Sequence, residues 1–507
     1  MMNFLRRWPG LGLFGLGALS AAGLPPVGAW WVLFITVPLA LTLLGEAQAR
    51  PFWRGAVLGW CLGFGYFLAA LHWIGFAFLV DAARDLWMMP IALGGLAAFL
   101  ALFWAVAALA AVQMAKRGLA LWLAAPASFS VLEWLRGHLF TGFPWAVFGQ
   151  VVDGMGGVAQ AAALVGMTGL TLFLWLWPAS LLGLRSAAKA ERAAAAALLL
   201  TLPALYAWGE WRLAQNPTAY QPGIMLRLVQ PNISQNDKWR EGNARTIYDQ
   251  LLSLTAAPPS TGQPVTHIIW PESSVPFLID ESEKGRAELA RVLQPGQTLL
   301  AGAVRRSAPT DDAQYFTSIL IINGKAEVLG HYDKWHLVPG GEFLPLAWAL
   351  EPLGLRKVVS LPESFTAGPG PSTLPVPGAG NAGMSICYEA IFPGAVADPA
   401  KRPDWLVNVT NDGWFGKSAG PYQHLAQLRL RAIELGLPAA RAANTGISAV
   451  IDSFGRVTFA SEIGTTGAFD LALPQSTLPP LYSKESDYIP LIVLVLVIGL
   501  GVSLKRM

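Results

Sequence analysis

Of the two cysteines in the chain, one stands where a thiol could react. Cys387 closes the apolar stretch Ala382-Gly383-Met384-Ser385-Ile386, which reads as a buried β-strand leading into a turn. Cys61 lies inside a long apolar run, so Cys387 has no disulfide partner on the polar side of the chain. It is either an inert small hydrophobe or a nucleophile. A neutral thiol attacks poorly near pH 7, so reactivity demands a base and a charge for the developing oxyanion. Two upstream residues have suitable types and settings. Glu272, in Trp270-Pro271-Glu272-Ser273-Ser274, follows the apolar strand His267–Trp270, and a carboxylate shielded from water can take the thiol proton. Lys334, in Tyr332-Asp333-Lys334-Trp335-His336, follows predicted strands at Tyr315–Ile322 and Glu327–His331 and supplies fixed positive charge. Three such residues, each just past a strand end, are placed as layered α/β folds place catalytic groups.

Other residues have two readings each. Glu342, eight positions after Lys334, is an ordinary loop carboxylate taken alone; beside the lysine it orients the amine or relays a proton. Tyr388 and Glu389 flank the cysteine and either pack or support the site, the Tyr388 N–H being a second oxyanion donor. Trp414 and Phe415, in Asn411-Asp412-Gly413-Trp414-Phe415-Gly416, are either core aromatics or a lipid-facing lid at the substrate's mouth. Trp239 has the same two readings. Trp145, in Thr141-Gly142-Phe143-Pro144-Trp145, either anchors at the membrane interface or lines the way in for substrate. The run from Leu344 to Leu353 is an apolar arm that touches the membrane or a core helix. There is no zinc-ligand spacing, no Gly-rich phosphate loop and no Lys/Arg block suited to nucleic acid, so no metal, cofactor or nucleic-acid partner is expected.

The elements that position these residues fall into two kinds. With 54% hydrophobic and 13% charged residues, the chain is too apolar for a soluble enzyme. Apolar runs at about 9–27, 28–45, 55–80, 87–114, 119–135, 158–184, 194–209 and 488–504 predict about eight membrane helices. Arg6, Arg7, Arg50, Arg54, Lys116, Arg117, Arg185, Lys189, Arg192, Lys505 and Arg506 all fall on one side of that arrangement. The positive-inside rule then puts both termini in the cytoplasm and the long polar segment outside it. The expected division is a transmembrane domain at 1–211, a catalytic domain at 212–487 and a last transmembrane helix at 488–507. In the middle segment nine strand-like pieces alternate with helix candidates near Ala244–Thr255, Glu283–Leu293 and Tyr422–Leu437, which predicts a layered α/β domain.

The Glu–Lys–Cys order, with WPESS and YDKWHLVP contexts, resembles the nitrilase (carbon–nitrogen hydrolase) superfamily. Its insertion between membrane helices, with Gly-Phe-Pro-Trp in the membrane part and Cys-Tyr-Glu in the domain, is similar to that superfamily's membrane-embedded branch, the apolipoprotein N-acyltransferases. The resemblance spans nearly the whole chain. It implies an αββα sandwich on the periplasmic face of a bacterial inner membrane, with Glu272, Lys334 and Cys387 as catalytic triad. It also implies supporting roles for Trp239, Glu342, Tyr388 and Glu389. The implied reaction moves an acyl chain from a phospholipid, usually phosphatidylethanolamine, to the α-amino group of the S-diacylglyceryl-cysteine at a lipoprotein's N-terminus. It proceeds through a Cys387 thioester in two steps. Thr317 stands where related sequences often carry Asn, a departure confined to a loop contact. Burying one CH₂ is worth about 0.8 kcal/mol, so drawing a whole acyl chain into water costs on the order of 10 kcal/mol. Such a site therefore belongs at the bilayer surface. Two rival readings share these residues: a membrane-anchored amidase for small amides, and a lipid-binding or transport protein without catalysis.

Overall fold

The computed structural model describes residues 2–484 apart from 50, 241, 311–312, 345–347, 349–350 and 354–364, with scattered positions beyond 484. Seven of the predicted apolar runs contain helices: Pro9–Ser20, Leu33–Glu46, Trp53–Ala70, Met89–Lys116, Leu121–Arg136, Ala162–Gly183 and Lys189–Gln215. Among the described residues four helical stretches are long and apolar enough to cross a bilayer. There are five if Trp53–Ala70 and His72–Leu79, bent by 48° at their break, form one span. The remaining described runs form shorter helices. Leu121–Arg136 has 16 residues, or about 24 Å of helix against about 30 Å of hydrocarbon. The first helix is short because Pro25 and Pro26 follow it and cannot donate to a continuing turn. The last run, about 488–504, lies partly outside the described residues.

Glycines let these helices meet closely. A Cβ on Gly17 would stand 1.9 Å from the Leu62 carbonyl oxygen, and one on Gly65 2.0 Å from that of Phe14. The first and third helices therefore touch backbone to backbone, a contact only small residues permit. Around them Trp104, Phe129, Phe148 and Trp175 form an aromatic core, with the Phe148 and Trp175 rings stacked at 4.3 Å. Lys189–Gln215 lies at the periphery, leaving Leu200, Tyr206 and Trp211 exposed.

The second part holds two six-stranded sheets. The first has the order β12-β1-β2-β3-β4-β5, comprising Tyr220–Gln230 (β1), His267–Trp270 (β2), Thr298–Arg306 (β3), Tyr315–Asn323 (β4), Val328–Asp333 (β5) and Gly467–Pro474 (β12). The second has the order β11-β10-β9-β8-β7-β6, comprising Ser372–Pro375 (β6), Asn381–Ile386 (β7), Trp405–Thr410 (β8), Ala439–Ala443 (β9), Ala449–Ile451 (β10) and Val457–Ala460 (β11). Strands β1, β2 and β3 run parallel, as do β7, β8 and β9. The sheets face one another through a shared core that includes Leu226, Ile269 and Ile319 from one and Met384, Val407 and Ala440 from the other. Helices Asn243–Ala256 and Glu283–Val292 cover the outer face of the first sheet. Helix Ala419–Leu435 covers that of the second. The result is the expected four-layered αββα sandwich. All nine predicted strands are present; β6, β9 and β11 were not predicted. Of these β9 matters most, because Ala439-Ala440-Arg441-Ala442-Ala443 has the composition of a helix. Burial between parallel β8 and antiparallel β10 makes it a strand.

Candidate active site

Lys334 is the first residue beyond β5. Its N–H donates to the Thr317 carbonyl at 2.8 Å, and its own carbonyl accepts from Gly368 N at 2.8 Å, so the backbone is pinned on both sides. The side chain is buried, and Nζ donates to Glu342 Oε1 at 2.6 Å and to Glu272 Oε1 at 3.3 Å. Burial alone pulls a lysine down; here Glu342 and Glu272 outweigh it and hold Lys334 above its ordinary range. Glu342 is itself pushed up by burial, against the pull of Lys334, and its second oxygen accepts from Val338 N at 2.8 Å.

Glu272 sits two residues past β2, in a turn where Ser273 has φ +44°. The turn presses on β3: a Cβ on Gly302 would lie 2.1 Å from the Pro271 carbonyl oxygen, so only glycine fits there. Both the N–H and the hydroxyl of Ser274 donate to the Gly302 carbonyl, at 2.8 and 2.7 Å. Beneath the turn the buried Lys238 donates to the Glu272 carbonyl at 3.2 Å.

Cys387 follows β7 and opens the short turn Cys387–Ile391 with φ +50°, a costly conformation for a residue with a Cβ. The turn is held by Glu389. Its carboxylate accepts from Ile386 N at 2.7 Å, Tyr332 Oη at 2.9 Å, Trp335 N at 2.8 Å and His336 N at 3.2 Å. Glu389 therefore ties the cysteine turn of one sheet to the lysine loop of the other. Its burial pushes it up to about 7. Burial, then the charge of Glu272, raise the Cys387 thiol, and Lys334 only partly offsets them. The resting thiol is neutral at pH 7 and needs a base.

Tyr388 is buried and donates to the Gly142 carbonyl at 3.3 Å, in the loop following helix Leu121–Arg136. Arg136 holds that loop by donating to the Phe143 carbonyl and, at 2.9 Å, to that of Trp145.

The aromatic residues expected at the substrate's mouth separate. Trp239 is 39% exposed, just beyond helix Gln235–Lys238. Trp414 is half-buried. Phe415 packs edge-on against Trp73, with ring centroids 4.5 Å apart. Trp145 is 1% exposed, and its indole N–H donates to Gln423 Oε1 at 2.9 Å. Its place is the joint between the two parts of the molecule rather than an opening or the membrane interface, which corrects that expectation. Half of the apolar arm at 344–353 falls outside the described residues.

Four buried residues around the site were not singled out from sequence: Lys238, Asp412, His424 and Arg441. His424 lies on helix Ala419–Leu435 with Nε2 2.9 Å from the Cys387 carbonyl oxygen. Its Nδ1 is 2.9 Å from Asp412 Oδ1, and Arg441 donates to Asp412 Oδ2 at 2.6 Å. Against the upward push of burial, Arg441 and His424 hold Asp412 well below the usual carboxylate range. Ligating atoms of Cys387, Asp412 and His424 lie within 4.8 Å of one another. That donor set is already engaged, with both imidazole nitrogens partnered and a guanidinium on the carboxylate. Asp412 sits in the Asn-Asp-Gly stretch that drew attention for its aromatics, so its neighbourhood was visible. Nothing in the chain signals that β9 and the covering helix meet beneath it.

Two family descriptions match in tandem: the apolipoprotein N-acyltransferase N-terminal domain over residues 16–180 and carbon–nitrogen hydrolase over residues 226–474. A protein of Rhodopseudomonas palustris named apolipoprotein N-acyltransferase is 40% identical over 97% of this chain and 94% of its own length. One of the same name from Bradyrhizobium diazoefficiens is 42% identical over 94% and 91%. An amidase from Nesterenkonia sp. aligns over 54% of this chain and 97% of its own at 17% identity, with a TM-score of 0.38. With both domains in order and relatives matching almost end to end, the chain belongs to the apolipoprotein N-acyltransferase family.

Proposed function

We propose that this protein transfers an acyl chain from a membrane phospholipid to the amino-terminal cysteine of diacylated lipoproteins, with Cys387 as nucleophile. Glu272 takes the thiol proton as sulfur attacks the ester carbonyl of the donor. The carbonyl π electrons move to oxygen, and that oxyanion is stabilised by Lys334 and the Tyr388 N–H. As the tetrahedral intermediate collapses, the C–O bond breaks and the lysophospholipid leaves with the proton from Glu272. The lipoprotein's free amine then attacks the thioester and loses a proton to Glu272, and the sulfur departs and is reprotonated. Because Lys334 is held above its ordinary range, its charge persists through both steps. Because Cys387 is raised, the base is indispensable.

The supporting roles follow from contacts. Glu342 fixes Lys334 at 2.6 Å, and Glu389 sets the distance between thiol and amine by gripping both loops. Tyr388 links the turn to the loop at Gly142. Trp239 and Trp414, both partly exposed, are the aromatics available to meet an acyl chain. The helical part is the platform. On the positive-inside argument it lies in the inner membrane with both termini cytoplasmic, its boundaries near 211 and 488 and the sandwich periplasmic.

One observation carries this reading: the buried Lys334 bridges Glu272 and Glu342, and the charges of Glu272 and Lys334 both act on the Cys387 thiol. The test mixes the purified protein with a phospholipid bearing a fluorescent acyl chain and a synthetic diacylated lipopeptide. Triacylated product should form, and omission of the peptide should leave a hydroxylamine-labile acyl group on Cys387. Ammonia from small amides with no lipopeptide product would overturn it.

A further inference from the structure

The reactive turn is also gripped from behind. A carbonyl oxygen only accepts, so the 2.9 Å contact between His424 Nε2 and the Cys387 carbonyl places a proton on Nε2. Arg441 Nη2 lies 3.1 Å from Nδ1 and donates to Asp412 as well, while its Nη1 donates to Asn408 Oδ1 at 2.6 Å. Nδ1 faces Asp412 Oδ1 at 2.9 Å, so the ring is clamped between two acceptors, the Cys387 carbonyl and a carboxylate that Arg441 holds in turn. Ring orientation is thereby fixed by side chains that are themselves fully buried.

In a planar trans peptide the C=O and the following N–H point in opposite directions. Holding the Cys387 carbonyl against His424 turns the Tyr388 N–H away from His424. Tyr388 is the second residue of the turn Cys387–Ile391, where an N–H has no acceptor within the turn and stays available. The turn also begins with φ +50° at Cys387, a backbone that persists only when its surroundings impose it.

We propose that His424, locked by Asp412 and Arg441, is a positioning residue that fixes the Cys387–Tyr388 peptide so that the Tyr388 N–H acts as oxyanion donor beside Lys334. This rests on Cys387 being the nucleophile. Thioester formation passes through a carbonyl oxyanion; alkylation of the same sulfur by iodoacetamide is a displacement at carbon and builds none. The two reactions therefore separate the peptide's orientation from the thiol's own condition.

The experiment uses the full-length protein in detergent, single turnovers with a fluorescent-acyl phospholipid without acceptor, and iodoacetamide labelling of Cys387. His424→Ala should slow acyl-enzyme formation roughly 10²-fold, as loss of an oxyanion donor does, and alkylation by less than about threefold. The donor concentration giving half the maximal rate should not change. His424→Gln, whose amide N–H reaches as far as Nε2, should regain most of the rate, and the shorter His424→Asn should not. If the alanine variant does not fold, the Gln–Asn pair reads the same split. Equal slowing of both reactions, or unchanged acylation in the Ala and Asn variants, would overturn the assignment. Absence of any acyl group on Cys387 in the unsubstituted protein would instead remove the nucleophile on which it stands.

Discussion

The two sheets contribute to one pocket by opposite means. From the first sheet come ionisable side chains that face inward and balance one another in the pocket, Lys334 lying between Glu272 and Glu342. From the second comes a neutral thiol, with the charges of Asp412, Arg441 and Glu389 placed behind it and spent on backbone geometry. On the proposed mechanism the front charges meet reacting atoms, and removing one leaves its partners buried and uncompensated. The rear charges act through peptide groups, so their loss should be graded. The contrast ranks substitutions before any is made.

The largest effect falls on the front. Lys334→Met leaves two carboxylates buried in one pocket. Activity on the fluorescent phospholipid should fall by roughly 10²- to 10³-fold, on the order expected for an oxyanion stabiliser, and the fold should lose roughly 3–5 kcal/mol. Adding Glu272→Gln and Glu342→Gln to that variant should restore the melting temperature without restoring activity. If melting stays depressed, the three groups are not a balanced set and the contrast fails.

Glu389 comes next, because it reaches both halves. Its four donors are an O–H and three backbone N–H groups. Glu389→Gln keeps the shape but turns an NH₂ toward donors on one side. An unsatisfied buried group costs about 1–3 kcal/mol, and acyl-enzyme formation should fall by roughly 10- to 100-fold as the thiol and lysine loops separate. A variant that melts lower yet acylates at the parent rate would show that Glu389 serves stability alone.

Lys238 inverts the usual outcome. It is buried with one backbone acceptor, and burial lowers it from 10.5 to about 8, with Glu272 opposing. Its folded pKa lies below its unfolded one. The fold therefore bears the full cost of the charge below pH 8, and stability rises with pH between 8 and 10.5. That cost is about 3 kcal/mol. Lys238→Met should melt higher than the parent at pH 7 and lose the alkaline rise. It should also turn over several-fold more slowly, because the Glu272 turn has lost its prop. Unfolding curves at pH 7 and pH 10 decide the matter; a lower melting temperature at pH 7 would sink it.

Much of this was legible in the chain, for definite reasons. Nine strands announced themselves because each carries apolar or β-branched residues between turn formers, and Glu272, Lys334 and Cys387 stand out by type against those strand ends. Glu389 was visible as a neighbour of the thiol, though not the four donors that converge on it from two sheets. The residues behind the pocket were illegible because their meaning is long-range. Arg441 sits in an alanine-rich segment that reads as helix, and His424 is one polar residue of a half-polar helix. Membrane span lengths are less legible for a related cause. Hydropathy reports that a run is apolar, not that it remains one straight helix, as the 48° bend at Leu71 shows. Trp145 was misplaced because an aromatic near a helix end reads as an interfacial anchor, whereas here it is covered by another domain.

That covering joint is where the smallest effect is expected, and it bears on how the platform and the pocket communicate. Gln423 precedes His424 and accepts from the indoles of Trp73 and Trp145 at 3.1 and 2.9 Å. It also donates to the carbonyls of Pro25 and Ala70, at 3.4 and 3.3 Å. One side chain thus joins three segments of the helical part to the helix whose next residue grips the Cys387 carbonyl. Gln423→Leu keeps the volume but strands two buried indole donors, a cost of about 1–3 kcal/mol. The shift this gives the Cys387 carbonyl is indirect, so acyl-enzyme formation should slow by less than the roughly 10²-fold expected for direct loss of an oxyanion donor. Combining it with His424→Ala separates two cases. If Gln423 acts on chemistry only through His424, the double variant should acylate no more slowly than His424→Ala alone. Multiplied effects would mean that the helical part reaches the pocket by another path, with Tyr388 and Gly142 the first place to look.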